Sequence, residues 1–408
     1  MGNTAIVQLL RDPKLVAKFQ SYCGVQIVLP SKEQQEGEDV GKLYKQANGY
    51  VDNGSYNIVN HTATRLFGRH RTVRIHTSKL KSPDDPSPKM TVQTMAVIDL
   101  FFRFATELGY EPFYITVVPF FLWNIDSFVA RQAVLLWSIS MYMGQALKPL
   151  IRWPRPASPP VIRLEYNPIL EQEYGFPSTH AIVSTILPFY TVYLTYNRYE
   201  YNVVYGVLLA MMWCLSVSLS RLYLGVHSVL DIIGGMSLSV LVLIFSVCYM
   251  EAWDRFFLHF PLSPVVALSG VVFALAIYPV EKRWTIDRGD TAAILGSAVG
   301  VNIGSFFYQS LDNNITGPFS VRLATWDEFQ MYLLRFAIGV VILFLDKLII
   351  KRLCLWILPA IMPTGGEEDV SKRTWVELPY KIITYSSIGI GAALVVPTIF
   401  DYLNISRF

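Results

Sequence analysis

VVYGVLLAMMWCLSVSLSRLYLGVHSVLDIIGGMSLSVLVLIFSVCYM, residues 203–250, is the stretch whose reading decides the fold. Two apolar runs, 202–221 and 229–249, flank the polar segment SRLYLGVHSVLD at 220–231. Each run is about 20 residues long, the length at which a helix crosses the hydrocarbon core of a bilayer. Lipid offers no partners to backbone polar groups, so both runs are expected to be helices. Ser220, Arg221, His227 and Asp231 are thereby placed together at a membrane edge.

The same pattern recurs outward. Apolar runs are expected to span at 99–124, 130–150, 180–197, 264–280, 290–309, 330–350 and 379–402 as well. Over half of the 408 residues are hydrophobic (52%), only 16% are charged, and mean hydropathy is +0.37. A soluble domain of that size needs more polar surface. The predicted class is all-α, a polytopic helical bundle in a membrane. Residues 1–95 form a polar N-terminal region, with one amphipathic helix near 4–22 and a mostly irregular, partly disordered remainder. Residues 96–280 are read as a transmembrane core and 281–408 as further C-terminal helices. The opening MGNTAIVQLLRDPKLVAKF has no continuous apolar core, so no cleavable signal peptide is expected. A net charge of +3 implies no nucleic acid, and the scattered Cys23, Cys214, Cys248 and Cys354 imply neither disulfides nor a zinc site.

Two further polar segments fall on the same expected face. KPLIRWPRP (148–156) closes the second run, and PSTH (177–180) opens the third. Together the three segments hold what phosphate monoester hydrolysis needs: charge neutralisation, an in-line nucleophile and a proton for the leaving oxygen. Lys148, Arg155 and Arg221 supply fixed positive charge, the arginines in bidentate form. Pro154 and Pro156 exclude helix around Arg155. Ser178 suits a helix N-cap, which turns the N–H groups near Thr179 and His180 toward an anion. His227 and Asp231, four apart, share one face if both are helical. A carboxylate on one imidazole nitrogen sets the tautomer and leaves the other nitrogen to attack phosphorus. His227 is then the nucleophile and His180 the general acid, with no metal or cofactor needed. Each residue has a plainer use when taken singly. The basic residues serve as interfacial anchors, Ser178 as a cap, a histidine as a structural group and Asp231 as a complement to a helix dipole. The conjunction is what packing explains poorly.

At these residues the chain resembles the lipid phosphate phosphatase (phosphatidic acid phosphatase type 2) superfamily, with its K-x6-RP, PSGH and SR-x5-H-x3-D elements. Thr179 stands where most members carry glycine. PSTH, IRWPRPASPPV, TELGYEPFYI (106–115), RGDTAAILGSAVG (288–300) and VELPYKIITY (376–385) resemble the sphingosine-1-phosphate phosphatase branch. The resemblance implies a six-helix phosphatase core with added C-terminal helices. It also implies a phosphohistidine mechanism, with Lys148, Arg155, Ser178, Thr179 and Arg221 on phosphate. The implied setting is the endoplasmic reticulum membrane, and the implied substrate is a lipid phosphate drawn from the bilayer.

Glu107 and Glu111, four apart near the first run, are costly at membrane depth and are candidates to pair the substrate's amine; a salt bridge to Arg103 or to a neighbouring helix is the alternative. Two topology expectations conflict. Basic connectors at 281–289 and 351–381 share the motif face and call it cytosolic by the positive-inside rule, whereas the resemblance implies a lumenal site. Competing functions are a broader lipid or sugar phosphate phosphatase and a membrane transporter, the latter without a visible inverted repeat.

Overall fold

The computed structural model describes residues 2–28, 70–74, 91–165, 173–196, 198–279, 285–309, 319–320, 325–361 and 374–406. In chain order the helices are α1 (Gly2–Arg11), α2 (Pro13–Tyr22), α3 (Ala96–Glu107), α4 (Glu111–Asn124), α5 (Ser127–Ile151), α6 (Thr179–Tyr196), α7 (Val203–Tyr223), α8 (Val229–His259), α9 (Ser263–Ile277), α10 (Ile286–Gln309), α11 (Trp326–Ile361), α12 (Thr374–Ile390) and α13 (Val396–Tyr402). A π-helical turn, Gly391–Val395, joins α12 to α13. Among the described residues, four helical stretches are long and apolar enough to cross a bilayer: Val203–Tyr223, Val229–His259, Ile286–Gln309 and Val376–Tyr402. The all-α, multi-pass class holds.

Three sequence expectations change. The helix near 4–22 is two helices, because Asp12 caps α2 by accepting from the Lys14 N–H (2.9 Å) and Pro13 starts it. The run 99–124 is not one span: α3 ends at Glu107 and α4 opens at Glu111, with Pro112 in its first turn. The polar N-terminal region contributes short strands β1 (Gln26–Val28), β2 (His70–Arg74) and β3 (Thr91–Met95), antiparallel in the order β1-β3-β2. Val28 faces Thr91, and Val73 faces Val92. The segment was too poor in apolar residues to read as a domain by itself; its partners come from elsewhere in the chain. Two-residue strands β4 (Tyr199–Glu200) and β5 (Phe319–Ser320) pair in parallel. The connectors NNITGP and MPTGGEED, and the glycosylation sequons at Asn53, Asn60 and Asn314, lie outside the described residues.

Contacts group the chain into two compact units that interleave along the sequence. The first comprises 1–109, 152–181 and 215–235. Its core joins Val25, Val92, Phe102, Ile162, Leu164, Tyr223, Leu224 and Val226, with the rings of Phe102 and Tyr223 stacked at 4.7 Å. Burying such side chains contributes about 1.5–3 kcal/mol each. Gln20 of α2 is fully buried in this unit: its Nε2 donates to the carbonyls of Ile162 (2.6 Å) and Tyr223 (2.8 Å), and its Oε1 accepts from the Ile162 N–H (2.9 Å).

The second unit comprises 110–151, 182–214 and 236–408. Tyr114, Leu136, Ile186, Tyr190 and Met250 lie in its main core, and Arg131 forks onto Asp254 at 2.7 and 2.8 Å. Small residues let α10 and α12 approach closely. A Cβ on Gly300 would stand 2.1 Å from the Ser386 carbonyl, and one on Gly389 would stand 2.5 Å from that of Ser297. None of the four cysteines is in a disulfide.

Candidate active site

Each sequence motif acquires its local shape for a separable reason. Helix α5 stops at Ile151, Arg152 takes a left-handed conformation (φ 58°), and Pro154 and Pro156 hold the next residues out of helix. Arg155 thus projects from an irregular segment of the first unit. Ser178 caps α6, its Oγ accepting from the Ala181 N–H at 3.4 Å. His227 lies before α8 rather than on it, which corrects the shared-helix expectation. Ser228 is the cap: Asp231 donates its N–H to Ser228 Oγ (3.2 Å), and Asp231 Oδ2 accepts from the Ser228 N–H (2.7 Å). This reciprocal box fixes the start of α8 and the direction of the carboxylate.

The first unit gathers Arg155, Glu173, Ser178, His227 and Asp231. The Ser178 N–H donates to the Asp231 carbonyl at 3.0 Å, and the Gly175 N–H donates to the Trp153 carbonyl at 2.8 Å, so backbone bonds stitch PSTH to the third motif and the residues just before it to the first. Asp231 Oδ2 lies 3.6 Å from His227 Nδ1, ion-pair range but longer than a hydrogen bond. On the other side of the ring, Arg155 Nη1 stands 3.5 Å from Nε2 and donates to the Val226 carbonyl at 2.9 Å. A Cβ on Gly175 would sit 3.0 Å from Asp231 Oδ2 and 3.2 Å from Arg155 Cα; glycine permits that approach.

Arg221 is fully buried at the end of α7, donating to Thr106 Oγ1 (2.6 Å) and Glu165 Oε2 (3.3 Å). Its carbonyl accepts from the Val226 N–H at 3.2 Å, which ties it to the turn leading to His227. Thr179 and His180 are half-buried in the first turn of α6. Gly109, in the break between α3 and α4, backs the imidazole of His180: a Cβ there would be 2.7 Å from Cδ2.

Lys148 belongs to the second unit, where its Nζ pairs with Asp287 Oδ1 at 2.8 Å, both side chains buried. The break after α3 also separates Glu107 from Glu111. Glu107 is exposed at the end of α3, Glu111 opens α4 in the other unit, and Arg103 pairs with Asp99 (2.8 Å) rather than Glu107.

Sequence reasoning missed Glu165, Glu173, Thr106, Gly109 and Asp287. The two glutamates had a visible signal, the acidic run EYNPILEQEYG (165–175) between the basic KPLIRWPRP and PSTH. Asp287 had none, since its partner is 139 residues away.

The PAP2 superfamily model matches residues 130–255, which include Lys148, both arginines, Ser178 and both histidines. Over 97% of each chain, the protein is 34% identical to sphingosine-1-phosphate phosphatase 1 of Rattus norvegicus. The chain belongs to the sphingosine-1-phosphate phosphatase family. It is 31% identical to human sphingosine-1-phosphate phosphatase 2, over 98% of this chain and 99% of that one. A dihydrosphingosine 1-phosphate phosphatase of Schizosaccharomyces pombe is 25% identical over 65% of this chain and 64% of its own. No solved structure matches. This family member is a multi-pass membrane phosphatase, a phosphoric monoester hydrolase.

Proposed function

We propose that this protein hydrolyses long-chain base phosphates, sphingosine 1-phosphate foremost, to the free base and phosphate at the endoplasmic reticulum membrane. The observation that carries the chemistry is the flanking of one imidazole: the Asp231 carboxylate toward Nδ1 and the Arg155 guanidinium beside Nε2. A carboxylate on the Nδ1 side favours a proton there, leaving the Nε2 lone pair as nucleophile. Nε2 attacks phosphorus, the phosphorus–oxygen bond to the lipid breaks, and His180 gives its proton to the departing alkoxide. Water then attacks the phosphohistidine, His180 takes the proton, and inorganic phosphate leaves. Arg155, Arg221, Ser178 and Thr179, all of the first unit, neutralise and orient the phosphoryl oxygens. The sphingosine 1-phosphate and dihydrosphingosine 1-phosphate phosphatases among its relatives support the long-chain base as the alcohol.

Purified wild type and His227→Ala, assayed on sphingosine 1-phosphate and phosphatidate with EDTA present, test this reading. The wild type is expected to prefer sphingosine 1-phosphate, to ignore EDTA and to be inhibited by vanadate, while His227→Ala falls by about 10³-fold or more. Normal turnover by His227→Ala ends the nucleophile assignment. Equal or greater turnover of phosphatidate ends the substrate assignment.

A further inference from the structure

Both arginines of the site are already held by carboxylates. Arg155 Nη2 meets Glu173 Oε2 at 3.2 Å, and Arg221 Nη1 meets Glu165 Oε2 at 3.3 Å. A phosphoryl dianion arriving beside His227 must share or replace these contacts. An amine-free headgroup then leaves a carboxylate next to a phosphate, a like-charge pair. A headgroup with an ammonium on the carbon next to its ester carbon restores balance: phosphate takes the guanidinium and ammonium takes the carboxylate.

The two pairs differ in how much this exchange matters. The Arg155 and Glu173 side chains are 5% and 9% exposed, so water compensates little. Glu165 is 23% exposed, and solvent covers more of its loss. Arg155 is also the guanidinium that stands beside His227 Nε2, where the proposed transfer takes place.

We infer that Glu173 receives the substrate's ammonium and so selects amine-bearing lipid phosphates over amine-free ones. The inference deepens the proposed function and rests on it. Glu173 acts in two directions, attracting the correct headgroup and repelling the wrong one. It takes the part that the sequence suggested for Glu107 and Glu111.

The test compares kcat/KM on sphingosine 1-phosphate with kcat/KM on its amine-free analogue, a long-chain alkyl monophosphate of equal length, in mixed micelles. Wild type, Glu173→Gln, Glu107→Gln and His227→Ala are assayed side by side. Glu173→Gln is expected to lower turnover of the aminated substrate and raise that of the analogue, shrinking the preference by about tenfold. Glu107→Gln is expected to keep the wild-type preference. A preference in Glu173→Gln within about threefold of wild type overturns the inference, as does an equal loss on both substrates, which a purely structural role predicts. If His227→Ala retains turnover, the underlying reading fails instead, and the two failures are distinguishable.

Discussion

Asp231 serves two structures at once. Its oxygen closes the capping box with Ser228 and faces the imidazole of His227. Asp231→Asn keeps an oxygen for the Ser228 N–H but removes the charge behind Nδ1. Its kcat should fall by at least about 10²-fold with little change in thermal stability; a loss of activity that merely tracks unfolding would contradict the orienting role. Gly109 gives a second prediction at this scale. Alanine there brings a Cβ 2.7 Å from His180 Cδ2, so the ring must move. Displacement of a reacting group by about 1 Å costs about 10²-fold, and Gly109→Ala should show that loss in kcat while remaining folded by circular dichroism. The roles proposed for His227, Asp231 and the arginines are legible from residue type and spacing. That of Gly109 is not, because a glycine between two apolar runs looks like an ordinary loop until its neighbour is known.

Most helices could be read from the chain alone, since runs such as 229–249 are long and uninterrupted and lipid leaves them no other structure. The exception is 99–124, where amphipathic α3, with Asp99 and Arg103, is followed by Gly109 and the Pro112 of a new first turn. Contacts between elements were not readable. Asp287, in the first turn of α10, holds Lys148 at the end of α5 in a buried ion pair. Asp287→Asn leaves that ammonium buried without its carboxylate and should cost about 3–5 kcal/mol of stability, while the double variant Lys148→Met/Asp287→Asn should recover much of it, as thermal unfolding in detergent would show. The α10–α12 contact makes a similar point. Gly300→Ala forces a Cβ onto the Ser386 carbonyl and should destabilise by about 1–3 kcal/mol; an unchanged unfolding temperature would mean that the two helices are not so closely packed.

For the molecule as a whole, the N-terminal helices belong with the candidate site rather than beside it. Gln20 ties the backbone that follows Arg155–Pro156 to the end of the helix that carries Arg221. Removing residues 2–28 should therefore abolish turnover, measured on protein still recovered in the membrane fraction. The resemblance to a lumenal enzyme carries its own expectation for topology: Asn53 or Asn60 accepts a glycan, and Asn314 and Asn404 do not. The reverse pattern would put the motifs on the cytosolic side, as the basic connectors suggest.

Length, hydropathy and three short motifs, taken by themselves, determined that this chain is a helical membrane protein with the groups for phosphate chemistry. Those properties depend on residue type and on spacing along the chain, which one-dimensional order preserves. Tertiary structure alone decided that the chain forms two interleaved units. It also decided that Arg155 and Arg221 are held by Glu173 and Glu165, that Lys148 answers to Asp287, and that Gln20 binds a distant loop and the end of a distant helix. Such pairings join residues tens to hundreds of positions apart, and a buried charge or amide finds its partner only once folding has brought the elements together.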